Sequence, residues 1–321
     1  MSITNEIERL QTAKANIKAS IENKGVTVGD GTLDTYANKI NAIETSGIDE
    51  YFSPTISAGT DTNAGGWNNA LLKFRSPLRI EGTNGSYMFA KYPLSEFPEI
   101  DTSELTNTSW MYAYCNKKQI IPNLNMSKVT DANHMFYSSN VVINNLDTSN
   151  IINMSNMFEF CQNIETLPDF NTSKATNLSY MFAYMNKLAK SPNIDTSNAT
   201  NVSSMYNQCF ALTDIPELDF SKVDNSYWIL YLSHNLKNLG GFKNFGKGFT
   251  TVREANSDYN ALDIERASEL THESLINIIN KVYDIKSMGL ETQRIRIGTK
   301  NMAKLTAEEI AIETEKGWTV S

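Results

Sequence analysis

The sequence predicts an α/β repeat solenoid of about seven repeats of 22–24 residues, preceded by a coiled-coil-like helix and closed by an α+β cap. Three observations predict it. An apolar pair, usually Met-aromatic, recurs at Met88-Phe89, Met111-Tyr112, Met135-Phe136, Met157-Phe158, Met181-Phe182 and Met205-Tyr206, with Ile229-Leu230 where a seventh falls due. Other columns move in step with that pair. Both ends of the chain then switch to helical periodicity. Self-similarity at a fixed period of this length is the signature of stacked repeats.

Each column has a physical reading. Four residues before each Met stands Asn84, Asn107, Asp131, Asn153, Asn177, Asn201 or Asn225. An Asn there is placed to cap a short helix or 3₁₀ turn over the Ser-x-Met-Phe stretch. Further along come a Pro column and an apolar column (Ile100, Leu124, Leu146, Phe170, Ile194, Leu218), which read as a short strand with Pro at its margin. Asp101, Asn125, Asp147, Asn171, Asp195 and Asp219 follow, each with Ser two residues later, and this pair favours a side-chain-to-backbone turn. One such unit cannot bury its own apolar side, so neighbours must stack. Cys115, Cys161 and Cys209 all lie four residues after the Met, in alternate repeats. Equivalent positions two repeats apart are roughly 10 Å apart, beyond the reach of a disulfide. The three are read as small, buried, reduced thiols.

The expected organisation is residues 1–45 as a helical oligomerisation or docking segment and 46–75 as a linker and lid, with Trp67–Phe74 as the lid. The repeats follow over 76–240 and the cap over 241–321. Ile3, Ile7, Leu10, Ile17 and Ile21 fall at alternating spacings of four and three, with Lys14 in the gap. That is a coiled-coil seam, and Ile at both seam positions favours three strands over two. A homotrimer is expected. In the cap, Thr271 can open a helix running to about Ile285, with Leu275, Ile278, Ile279 and Val282 as its apolar stripe. Arg294-Ile295-Arg296-Ile297 alternates like a strand. Thr306 with Glu309 forms a capping box for a helix ending near Glu315, and Gly317 precedes a last strand at Trp318-Thr319-Val320.

Composition excludes several classes. Net charge is −8, pI is near 5.1 and mean hydropathy is −0.36. A basic footprint for nucleic acid is absent, and no apolar run approaches a membrane span. No basic region followed by an apolar stretch marks a secretory signal at the N-terminus. His134, His234 and His272 are scattered, without partners at metal-ligand spacing. The Asp and Asn columns do not match a calcium loop. No phosphate loop or nucleophile elbow occurs. No catalytic residue, metal or cofactor is expected.

The repeat resembles that of the BspA-like leucine-rich-repeat surface proteins, in the branch reading Asp-Thr-Ser-x-Val-Thr-Asn-Met-x-x-Met-Phe. The resemblance covers residues 76–240. It implies a leucine-rich-repeat-like solenoid, a role in surface attachment and no catalytic residues. Ile3-Thr4-Asn5-Glu6-Ile7-Glu8-Arg9-Leu10, with Ala13-Lys14 and Gly25-Val26-Thr27-Val28, resembles the leader of bacteriophage tail, baseplate and fibre proteins. Joined to the array, it implies a phage virion protein, docked to other virion proteins through the N-terminal helix and contacting a host surface polysaccharide or protein. The alternative is a bacterial cell-surface adhesin or protein-interaction module.

Two sets of residues suit ligand contact. Glu99, Asn123, Asn145, Asp169, Asn193 and Glu217 stand between the Pro and apolar columns, and on a strand they point away from the core. Tyr114, Tyr137, Phe160 and Tyr184 vary as core residues would not. Carboxylates and amides beside aromatic rings suit carbohydrate hydroxyls and sugar faces.

Overall fold

A computed structural model describes residues 82–91, 97, 99–249 and 262–321, the helical residue Ala19, and the backbone of β1 (Thr55–Ser57) and β2 (Leu78–Glu81). The chain divides into two compact units, Met1–Ser53 and Pro54–Ser321. The seam of Ile3, Ile7, Leu10, Ile17 and Ile21 and the lid at 67–74 lie outside the described residues.

Successive repeats pair in parallel and in register. The Asn column forms a run of parallel bridges: Asn84 to Asn107, then Asp131, Asn153, Asn177, Asn201 and Asn225. Longer pairings flank it. β2 joins β3 (Ile100–Asp101), β4 (Gln119–Ile120) joins β5 (Val141–Val142), β6 (Asp214–Ile215) joins β8 (Asn238–Leu239), and β7 (Leu218–Asp219) joins β9 (Phe242–Lys243). The ladder extends past both expected limits of the array. Thr55 lies opposite Arg79 at the repeat spacing, inside the stretch expected to be a linker. Phe242, beyond residue 240, lies opposite Leu218.

The stretch around the Met is neither the short helix nor the 3₁₀ turn expected from the Asn column. It is a chain of tight turns in which the residue before the Met and the residue three after it are left-handed in all seven repeats. These are Tyr87, Trp110, His134, Asn156, Tyr180, Ser204 and Trp228, then Lys91, Tyr114, Ser138, Phe160, Tyr184, Gln208 and Leu232, with φ between 53° and 61°. A non-glycine residue there costs about 1 kcal/mol, so something must offset it. Alternate N–H groups turn outward and donate to the next repeat. Trp110 donates to Asn133, Tyr112 to Met135 and Tyr114 to Tyr137, and the same set recurs at each junction. An α-helix would direct those donors to its own chain and leave the repeats unjoined. The Asn side chains serve these turns: each Oδ1, from Asn84 to Asn225, accepts the N–H two residues on. The other Asp/Asn column does the same, from Ser103 N–H on Asp101 to Ser221 N–H on Asp219.

The core follows the columns. Phe89, Tyr112, Phe136, Phe158, Phe182 and Tyr206 are fully buried and stack face to face, with centroids 5.3–6.0 Å apart. Met111, Met135, Met157, Met181 and Met205 line up beside them. Buried threonines cross-link repeats: Thr102, Thr148, Thr172 and Thr196 each donate to a carbonyl of the next repeat at 2.6–3.0 Å.

The cysteines are free and fully buried. Their thiols point at the carbonyl of the aromatic one repeat earlier: Cys115 on Phe89 at 3.3 Å, Cys161 on Phe136 at 2.9 Å and Cys209 on Phe182 at 3.0 Å. Ser139 and Ser233 hold the same column in two other repeats and make the same bond to the Tyr112 and Tyr206 carbonyls, whereas the repeat between Cys161 and Cys209 carries the buried Met185 there. Five repeats thus place a small donor in this column, and Met185 is the exception. Burial pushes Cys161 and Cys209 up to about 12, so neither is a thiolate at neutral pH. We expect Cys161→Ser to keep its stability and Cys161→Ala to lose about 1 kcal/mol, the worth of one hydrogen bond, because the Phe136 carbonyl then keeps only the Ser139 N–H. Urea denaturation of the two variants checks this.

After the repeats, β10 (Leu262–Asp263), β11 (Gln293–Arg296) and β12 (Trp318–Val320) form a parallel three-stranded sheet. Three helices accompany it: α1 (His272–Lys281), α2 (Thr299–Met302) and α3 (Ala307–Glu315). Thr271 caps α1, and Thr306 with Glu309 makes the capping box of α3. α1 stops at Lys281, short of the expected Ile285, because Val282 turns extended and bridges Phe245. Four residues long, α2 lacks the periodicity by which helices are recognised. α1 closes on the last repeats: Ser274 Oγ accepts from Leu239 N and donates to the Lys237 carbonyl, both at 2.9 Å. Trp318 is fully buried against Phe245, and its Nε1 donates to the Tyr283 carbonyl at 2.8 Å. One continuous core runs from Met88 to Trp318.

Candidate binding surface

Apart from the buried Ser204, the left-handed positions place their side chains outside the core. Tyr87, Trp110 and His134, from three successive repeats, stack with centroids 5.6 and 4.0 Å apart and planes within 8°. Tyr114 and Phe160 both stand three after the Met; between them Ser138 holds that position and the ring comes instead from its neighbour Tyr137. Tyr137 meets Tyr114 edge-on at 5.4 Å and Phe160 edge-on at 5.5 Å, and Phe160 stacks on Tyr184 at 4.3 Å. Trp110 and His134 touch Tyr137 as well, at 5.1 and 5.3 Å. The two rows are thus one aromatic surface. Tyr87 and Tyr114 are exposed and the other rings half-buried.

All four rings expected as ligand contacts are therefore brought together. Tyr87, Trp110 and His134 join them, although their column reads in the sequence as tolerating anything. The signal was the run of three rings in consecutive repeats. His134 is a neutral ring in this stack: burial holds it down at about 4, only partly offset by Asp131. The aromatic surface stops at the next repeats. Ser204, Asn207 and Gln208 occupy the corresponding positions, and a second stack of Tyr227, Trp228 and Tyr231 follows.

The polar stripe is real but separate. Glu99, Asn123, Asn145, Asp169, Asn193 and Glu217 are all exposed. Asn193 donates to Asp169 through its backbone N–H at 2.8 Å and its Nδ2 at 2.9 Å, and these bonds hold Asp169 below the usual carboxylate range. Glu217 is used internally, paired at 2.8 Å with Lys281 at the end of α1. Among the described residues no hydrogen bond or ring contact joins the stripe to the aromatic surface.

The carboxylate beside the rings is Glu159, which sequence reasoning missed. It sits between Phe158 in the core and Phe160 outside, 8% exposed, with Asn156 Nδ2 on its Oε2 at 2.6 Å. Burial raises its pKa. Tyr137 and Tyr184 are also raised, by burial first and then by the charge of Glu159. Its column otherwise holds Ala90, Ala113, Tyr137, Ala183, Asn207 and Tyr231, so one acid there carries no sequence signal. Among the described residues no three His, Cys, Asp or Glu side chains are grouped to hold a metal, and no helix is long and apolar enough to cross a membrane.

Fold and surface together define a protein of stacked, register-paired repeats carrying a contiguous outer cluster of rings. The model of the family described as Mycoplasma protein of unknown function, DUF285, matches residues 83–158 and 138–242. The match spans the repeat array, just under half of the chain, and both ends lie outside it. No curated protein and no solved structure matches the chain.

Proposed function

We propose that the protein is a non-enzymatic attachment or interaction module, a leucine-rich-type solenoid of the BspA-like kind that contacts a surface polysaccharide or protein through its aromatic face. One observation carries this reading. Tyr87, Trp110, Tyr114, His134, Phe160 and Tyr184 all occupy left-handed backbone positions, where glycine or asparagine is cheaper. Bulky residues held in such conformations cluster at ligand sites. Stacking offsets part of the cost, at about 0.5–1.5 kcal/mol per pair, but leaves the rings partly exposed. The DUF285 match supports a surface or interaction role through the BspA-like resemblance of the same repeats. A place in a phage virion rests on the N-terminal leader alone, and the family match does not reach it.

The test is binding of the full chain to an array of bacterial surface glycans and extracellular proteins, with Trp110→Ser/Phe160→Asn as the comparison. The double variant is expected to keep its circular dichroism spectrum and lose at least tenfold in binding. Undiminished binding by a folded variant would place the contact elsewhere.

A further inference from the structure

The aromatic surface holds a carboxylate without a counter-charge. Glu159 is more than nine-tenths buried, yet among the described residues it pairs with no lysine, arginine or histidine. Its hydrogen bond comes from a neutral amide, Asn156. Tyr137, Phe160 and Tyr184 form one run of ring contacts at 5.5 and 4.3 Å across the repeat that carries Glu159, and the two phenols sense its charge. Burying a carboxylate is costly unless a cation compensates it. A neighbouring ring of the same surface already faces a cation, with Lys91 Nζ 5.7 Å from the centre of Tyr114.

We propose that Glu159, Asn156, Tyr137, Phe160 and Tyr184 form a site for a quaternary ammonium group of the choline type. This rests on reading the aromatic surface as a binding face and names the chemistry it takes. Rings supply negative faces and the carboxylate a full charge, the combination that recognises quaternary ammonium ions. A hard metal ion is a poor fit, because it needs six or more oxygen ligands and the cluster offers one carboxylate and one amide. A primary ammonium is strongly hydrated and loses more on entering a ring-lined site. A neutral sugar leaves the charge uncompensated.

The experiment is calorimetric titration of the full chain with choline and with tetramethylammonium, using 3,3-dimethylbutanol as the uncharged isostere. Saturable binding of both cations, none of the alcohol, and at least a tenfold loss in Glu159→Gln are expected. Tyr184→Leu, further from the core, gives the same loss if Glu159→Gln unfolds. Absence of saturation overturns the proposal, as does equal binding of the alcohol or indifference to both variants. Those outcomes leave the attachment reading standing if the glycan and protein array still binds and Trp110→Ser/Phe160→Asn still abolishes it.

Discussion

Phe158→Ala is expected to remove about 4 kcal/mol of stability, within the range for emptying a large aromatic site in a core. Phe158 is fully buried and touches rings on three sides: Phe136 at 5.3 Å, Phe182 at 6.0 Å and Phe170 at 5.4 Å. Its position matters as much as its size. In stacked repeats each unit is held only by its neighbours, and Phe158 stands mid-stack. The cavity therefore weakens both adjoining junctions at once. Phe160→Ala, two residues away on the half-exposed outer row, is expected to cost about 1–2 kcal/mol, the worth of its two ring contacts. Urea denaturation followed by circular dichroism checks both. Equal losses at the two positions would mean that the outer rings hold the stack together as much as the inner ones.

Glu313→Gln is expected to stabilise the protein by roughly 3 kcal/mol at pH 8 and to have little effect below pH 4.5. Glu313 lies on α3, 1% exposed, and neither of its carboxylate oxygens has a hydrogen-bond partner. Burial raises it from 4.5 to about 7, against a smaller opposing pull from Lys316. Lys316 itself donates to the Ile279 and Asn280 carbonyls near the end of α1. The sign follows from linkage. The folded state holds its proton more tightly than the unfolded chain. Stability is therefore fully present below the unfolded value of 4.5 and declines as pH rises through about 7. One pKa unit is worth about 1.4 kcal/mol, which sets the size. Thermal melts of both proteins from pH 4 to 9 should converge at the acid end and separate toward the alkaline end. A constant difference across the range would show that Glu313 titrates alike in the folded and unfolded states.

Local features were legible in the chain. Thr271, Thr306 and Glu309 make their caps within three or four residues of sequence, and the Asx turns at Asp101 and Asn107 need only the next two. Tyr114, Phe160 and Tyr184 could be picked out because a column of rings outside the Met-Phe pair has no core to fill. Glu159 could not. A single acid in a column that also holds Ala, Tyr and Asn looks like a solvated surface residue, and only the stacking of three repeats shows it buried beside the rings. The polar stripe was legible as exposed but not as separate, because strand periodicity gives the direction of a side chain and not its distance from another face.

The amino-acid sequence by itself determined the period of the array, the residues that form its core and the burial of the cysteines as thiols. All of these follow from which side chains recur at a fixed spacing and must find apolar neighbours. Only the tertiary structure decided the backbone at the residues flanking the Met-aromatic pair. Tyr, Trp and Phe carry no local preference for a left-handed φ, and taken alone the stretch reads as a helical turn. The left-handed form wins because it turns alternate N–H groups toward the next repeat, and four hydrogen bonds to that neighbour, such as those from Thr108, Trp110, Tyr112 and Tyr114, outweigh the local strain of two residues. That same choice puts the rings on the outside.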